Sequence, residues 1–279
     1  RKRKAEVAPK PPPPPEKIER SNLDAEYLAA VEAGDMTRAQ AMVDEAAKRA
    51  GYTVGPVWHG TDEPRNVFDG GAYFTDSKGD ASAYAELRAL KKAVDENDEL
   101  NEIVSEILAE EGAEEITDLG PKTIRDIADA NKIELSAPDG FVLRAHLAPG
   151  RLLDLSDLGS EVGSVKAAWN ALHAKGFVDQ SWDDLGDEGQ DEVRGNYRGT
   201  AMYRMLEGED VLSTAFRQGY DTVLFVDQAP EGKSTHKSWL TKSNTQFKSA
   251  EPVTRDSSGN VIPLSRRFNP ASPDIRESI

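Results

Sequence analysis

The chain has 279 residues, enough for one large domain or two small ones, but only 38% are hydrophobic and 30% are charged, so polar segments dilute its core. A net charge of −16 argues against a whole-chain nucleic-acid binder, which needs clustered Lys and Arg, while leaving room for a small basic groove. With no cysteine there is no disulfide, thiol nucleophile or Cys-based metal site, and no apolar run approaches the roughly 20 residues that span a bilayer.

The chain starts with Arg1 rather than a methionine and reads as a soluble piece of something longer, with no signal-peptide pattern. Residues 1–21 form a basic, Pro-rich linker, whose five consecutive prolines at 11–15 favour an extended polyproline II spacer. Residues 22–51 read as a helical hairpin. Leu23, Tyr27, Ala30 and Val31 share one helical face, Gly34 ends the first helix and Asp35 caps the second. Ala39, Met42, Val43 and Ala46 repeat the pattern before Gly51.

The main domain is expected over 52–265, with an acidic helical insert at about 88–135. In that insert Leu100, Ile103, Val104, Ile107 and Leu108 line one face, and Pro121 sits in the first turn of a further helix. Short strands are predicted near 55–58, 71–75, 141–147, 221–227 and 238–242, with another extended piece after the turn at Pro149 and Gly150. Residues 161–218 read as helix mixed with polar loop. The polar ending, with residues 266–279 as the C-terminal tail, is expected to pack loosely. The fold class is therefore α+β. Phosphate-loop and dinucleotide glycine motifs are absent, so any nucleotide must be held another way.

The densest aromatic patch is "VWHGTDEPRNVFDGGAYFTDSKGDASAYA" at 57–85. A glycine after His59 lets a ligand approach the backbone, because no Cβ blocks it, and the Gly60 N–H and C=O can pair with a carboxamide. His59, at a strand end, can donate to a ribose hydroxyl. Tyr73 lies on the second strand and Tyr84 eleven residues later on a returning helix. Two such rings can sandwich a flat ring, with a further gain if that ring is cationic.

These residues resemble the histidine-tyrosine-glutamate branch of the ADP-ribosyltransferase superfamily, shared by diphtheria-type toxins and poly(ADP-ribose) polymerases. "WHGT" at 58–61, "GAYFTD" at 71–76 and "SAYA" at 82–85 carry the resemblance. It is closer still to the transferase domain of phage and prophage polyvalent proteins, through the helical hairpin and the ending "PLSRRFNPASPDIRES". The resemblance covers residues 22–87 and about 218–278.

It implies split β-sheets around an NAD cleft, with NAD as substrate and no metal. His59 would bind the nicotinamide-side ribose, Gly60 the carboxamide, Tyr73 and Tyr84 the ring, and Thr61 the adenosine side. The implied activity is transfer of ADP-ribose to an unidentified macromolecule, a host protein rather than a nucleic acid. An NAD glycohydrolase and an impaired NAD-binding or structural module are the alternatives. The implied location is a phage particle or the host bacterial cytoplasm.

The family glutamate is missing. Ser238 falls nearest its place, and no acid lies between Glu231 and Glu251. Ser238 acting as a reduced substitute, Glu231 swinging in from its loop, and replacement that impairs the enzyme all remain open. His146 and His236 read as structural or exposed, and His173 as a helix C-terminal cation. The four histidines have no metal-ligand spacing, and no nucleophile elbow is present. Trp58 and Trp239 read as core residues at strand positions, with lining of the cleft as the alternative.

Overall fold

Seven strands join in one mixed sheet in the computed structural model, which describes residues 17–111, 116, 119–135, 140–158, 165–196, 205–206, 208, 210–228 and 235–276. They are β1 (Val54–Thr61), β2 (Tyr73–Thr75), β3 (Phe141–Leu147), β4 (Leu152–Asp154), β5 (Thr222–Gln228), β6 (Thr235–Thr241) and β7 (Phe247–Ser249). Their order is β4-β5-β6-β2-β1-β3-β7, and only β4 and β5 run parallel. All five expected strands are present. The expected split into two sheets is not: hydrogen bonding is continuous. Its thinnest point is between β1 and β2, which pair only at Trp58 and Thr75.

A helical hairpin forms from α1 (Lys17–Glu32) and α2 (Met36–Arg49), with α1 beginning inside the segment expected as linker. The Arg38 amide donates to Asp35 Oδ1 at 3.0 Å, which satisfies one of the free N–H groups at the start of α2. Tyr27, Ala30, Ala39, Val43 and Ala47 pack with Tyr52, Leu264 and Phe268. The hairpin thus docks on the C-terminal segment.

That segment is not loose. Arg267, Phe268, Ser272 and Ile275 are buried. Arg267 donates to the carbonyls of Ser249 (3.1 Å) and Glu251 (2.6 Å), and Lys248 donates to those of Ser272 (2.7 Å) and Asp274 (2.6 Å). Burying two cations is tolerable because main-chain oxygens replace the water they lose.

α3 (Lys78–Asp95), α4 (Asp98–Glu111) and α5 (Gly120–Ala130) form the helical insert. Leu87, Leu90 and Val94 of α3 pack with Leu100, Val104 and Ile124, and Ile103, Ile107 and Leu108 lie against them. The helix begins at Lys78, ten residues before the expected boundary, with the Ser77 Oγ accepting from the Asp80 amide. Its first half therefore belongs to the β1 layer and its second half to the insert. α6 (Val165–Ala174), α7 (Gly186–Asn196) and α8 (Val211–Arg217) cover β4 and β5 through Trp169, Leu172, Trp182, Val193, Val211 and Phe225. Among the described residues, no helix is long and apolar enough to cross a membrane.

Candidate functional site

Directly paired residues on neighbouring strands share a face, and successive residues alternate. The pairs Trp58 with Thr75, Thr75 with Ser238 and Ser238 with Phe225 therefore define one face. Gly60, Tyr73 and His236 lie on it. Val57, His59, Phe74 and Trp239 lie on the other.

The sequence places His59 and Tyr73 together, and the structure joins them through the backbone. His59 Nδ1 lies 2.6 Å from the Tyr73 carbonyl oxygen. Since that oxygen can only accept, Nδ1 carries the proton. The ring is wedged between Phe68 (centroids 5.4 Å apart) and Phe74 (5.6 Å). Burial lowers the His59 pKa to about 4; the Tyr73 carbonyl opposes this, and the charges of Arg88 and Arg65 add to it. The imidazole is therefore neutral at pH 7. With Nδ1 donating, Nε2 keeps a lone pair, so toward a ribose hydroxyl His59 accepts rather than donates. That reverses the polarity expected from the sequence.

Gly60 is small for a different reason than the one read from sequence. A Cβ there would collide with the Ala81 carbonyl and stand 2.6 Å from the Ala85 amide nitrogen. The hydrogen-only side of Gly60 thus receives α3, not a ligand. A ligand can meet this residue only through the backbone edge of β1. Gly140, at φ +70°, meets Ala85 in the same way, so α3 sits closer to the sheet than side chains would allow.

Thr61 is buried and pairs with Phe141, and its hydroxyl donates to Asp62 Oδ1 at 3.2 Å. Burial pushes the Asp62 carboxyl upward, but its own backbone N–H, Arg65, the Thr61 hydroxyl and Arg88 outweigh this and hold it below the ordinary range. Arg65 reaches Asp62 at 3.2 Å and Glu63 at 3.3 Å. Arg65 and Arg88 bring positive charge to this end of β1 in an otherwise acidic chain.

Tyr73 and Tyr84 are both half-buried. Tyr73 is edge-on to Phe225, 6.4 Å between centroids. Tyr84 is edge-on to His236 at 6.1 Å. Ser238 is buried between Thr75 and Phe225 on the Tyr73 face. Glu231 lies outside the described residues. Trp239 is core, as read, and Trp58 is half-buried.

His146 is buried and paired with Asp44 of α2 at 3.0 Å, a structural role. His236 is buried too, in a setting that its neighbours in sequence do not reveal. Asp80 Oδ2 stands 3.0 Å from its Nδ1. What the sequence does carry is that His236 and Ser238 are two residues apart on one strand, so they share a face. Among the described residues, no group of three or more His, Asp or Glu side chains could hold a metal ion. No protein-family model, curated protein or solved structure matches this chain.

Proposed function

We propose that this chain is an NAD-dependent ADP-ribosyltransferase that breaks the bond between nicotinamide and ribose and transfers ADP-ribose to a macromolecular acceptor. The observation that carries the reading is the arrangement where β1 and β2 part. His59 bridges the strands as a neutral, tautomer-fixed imidazole. Tyr73 stands on one strand, and Tyr84 on the helix packed over Gly60.

Each part suits a piece of the dinucleotide. The lone pair on His59 Nε2 suits a ribose hydroxyl. The β1 edge at Gly60 suits a carboxamide. Two half-buried tyrosines suit a cationic ring, each aromatic face contributing roughly 0.5–2 kcal/mol. Arg65 and Arg88 suit a diphosphate. Loss of nicotinamide is dissociative: the pyridinium nitrogen takes the bonding pair and leaves neutral, and cationic character grows on the ribose.

A second reading is favoured by Ser238. It is buried in strand pairing, and β6 and β7 carry no acid. A chain that binds NAD⁺ but turns it over poorly, as a module of a phage polyvalent protein, accords with that.

The deciding experiment follows nicotinamide release and NAD⁺ binding with the wild-type chain, His59→Ala and Tyr73→Ala. The transferase reading expects turnover that both substitutions reduce, with label appearing on an acceptor. Release without any labelled acceptor identifies a glycohydrolase. Binding without release supports the second reading. A wild-type chain that neither binds nor cleaves NAD⁺ refutes both.

A further inference from the structure

His236 is a buried imidazole on the Tyr73 face beside the proposed nicotinamide site, and its surroundings are unusual for a structural histidine. Its side chain is 2% exposed. Asp80 of α3 lies 3.0 Å from Nδ1 but off the line of a hydrogen bond, and among the described residues neither ring nitrogen has a hydrogen-bond partner. Buried polar groups are almost always bonded, and an exception marks either strain or a place where a ligand completes the set. Tyr84 stands edge-on at 6.1 Å, Asp227 lies directly opposite on β5, and Ser238 follows two residues later on the same face. Asp76, just beyond β2, is engaged with the Lys237 amide at 3.0 Å.

Resting on the transferase reading above, the geometry points to His236 as the base that takes the acceptor's proton, with Asp80 as its positioning residue. Together they supply a base to a face whose strands β6 and β7 carry no acid. Serine at 238 cannot do this at neutral pH, because a hydroxyl is too weak a base; an imidazole can.

The step balances as follows. The bond between C1′ of the ribose and the nicotinamide nitrogen breaks, and its electron pair leaves on nicotinamide. A lone pair of the acceptor oxygen, from a hydroxyl group or water, forms the new bond to C1′. The acceptor's proton passes to His236 Nε2. The resulting imidazolium is held by the Asp80 carboxylate until it returns the proton to solvent. No oxidant or reductant enters.

The test measures NAD⁺ affinity and the rate of nicotinamide release from about pH 5 to pH 9 for the full chain, His236→Gln, Asp80→Asn and Tyr73→Ala. His236→Gln is expected to keep NAD⁺ affinity within about threefold while kcat falls roughly 10²-fold and the acid limb of the profile disappears. Asp80→Asn is expected to move that limb to lower pH, since removing a carboxylate makes the imidazole easier to deprotonate. A purely structural histidine would not carry the limb.

If wild type turns over and His236→Gln keeps its kcat and its acid limb, this inference falls while the transferase reading stands. If wild type binds NAD⁺ without cleaving it, the inference falls as well. If wild type neither binds nor cleaves, both fall. Should His236→Gln not fold, the Asp80→Asn profile decides, and an unmoved limb overturns the assignment.

Discussion

Gly60 of β1 lies against Ala85 of α3, with no room between them: a Cβ on Gly60 would stand 2.6 Å from the Ala85 amide nitrogen and strike the Ala81 carbonyl. Both obstacles are main chain in the middle of a helix, so neither can swing aside. Gly60→Ala must push α3 off the sheet, costing about 1–3 kcal/mol by analogy with overpacked cores. The displacement also carries Tyr84 away from Tyr73. Urea unfolding of Gly60→Ala should show the loss, and on the transferase reading NAD⁺ affinity should weaken with it. Unchanged stability would mean that α3 does not sit where it is described.

His59 ties stability to pH in a direction that can be worked out. Its folded pKa, about 4, is below the unfolded 6.5, so between those values the unfolded chain binds more protons. Stability due to the neutral ring is complete above pH 6.5 and is lost as pH falls toward 4. The shift corresponds to about 2–3 kcal/mol at pH 4.5. Gln at 59 can still donate to the Tyr73 carbonyl but does not titrate. Urea midpoints at pH 7.5 and 4.5 should therefore converge between wild type and His59→Gln as pH falls. Parallel losses in the two proteins would show that His59 is not held neutral by burial.

Tyr84 separates stacking from hydroxyl chemistry. If its ring flanks a nicotinamide, Tyr84→Phe should hold the NAD⁺ Kd within about threefold. Tyr84→Ala should raise it about 2- to 30-fold, the range of a cation–π contact. Calorimetric titration of the three proteins measures this directly. Equal affinity in all three removes Tyr84 from the site without touching the fold.

The C-terminal segment offers a prediction that no functional reading affects. Tyr27 Oη donates to the Pro252 carbonyl at 2.8 Å and receives Arg267 Nη1 at 3.2 Å. Tyr27→Phe should cost about 1 kcal/mol. Arg267→Met strands the Ser249 and Glu251 carbonyls and should cost more, about 3 kcal/mol. The double variant should cost less than the sum, because the two changes remove one shared bond. Strict additivity in chemical denaturation would contradict that shared bond.

These cases also show what the sequence could reveal. The hairpin was legible because apolar spacing, the Asp35 cap and two stopping glycines, Gly34 and Gly51, all agree. The strands β1, β3, β5 and β6 were legible as alternating or continuous apolar runs. The three-residue β4 is foreshadowed only as an extended piece after Gly150, and β7 not at all, because both are strands only by virtue of their partners.

The ending reads as loose from sequence because Arg267 and Lys248 look like surface residues until their main-chain acceptors are known. The candidate residues could be picked out, but not their faces. His59 and Tyr73 lie on opposite sides of the sheet because Trp58 pairs with Thr75, and register between distant strands is not written in either strand alone. For the same reason the sequence does not single out His236: nothing local links it to Asp80, 156 positions earlier.

A carboxylate placed at Ser238 tests the proposed transferase chemistry. The register puts position 238 on the Tyr73 face, opposite Thr75, so a carboxylate introduced there would project from the face that carries Tyr73. It could bond a ribose 2′-hydroxyl and stabilise positive charge growing at C1′. Losing one such preorganised contact typically costs about 10²–10³ in rate, so regaining part of it should raise nicotinamide release by about tenfold or more. The buried carboxylate also costs stability, so the thermal midpoint of Ser238→Glu should drop in the same protein whose rate rises. A stability loss without a rate gain would place the reacting bond away from β6. It would also favour the reading of a chain that holds NAD⁺ without cleaving it.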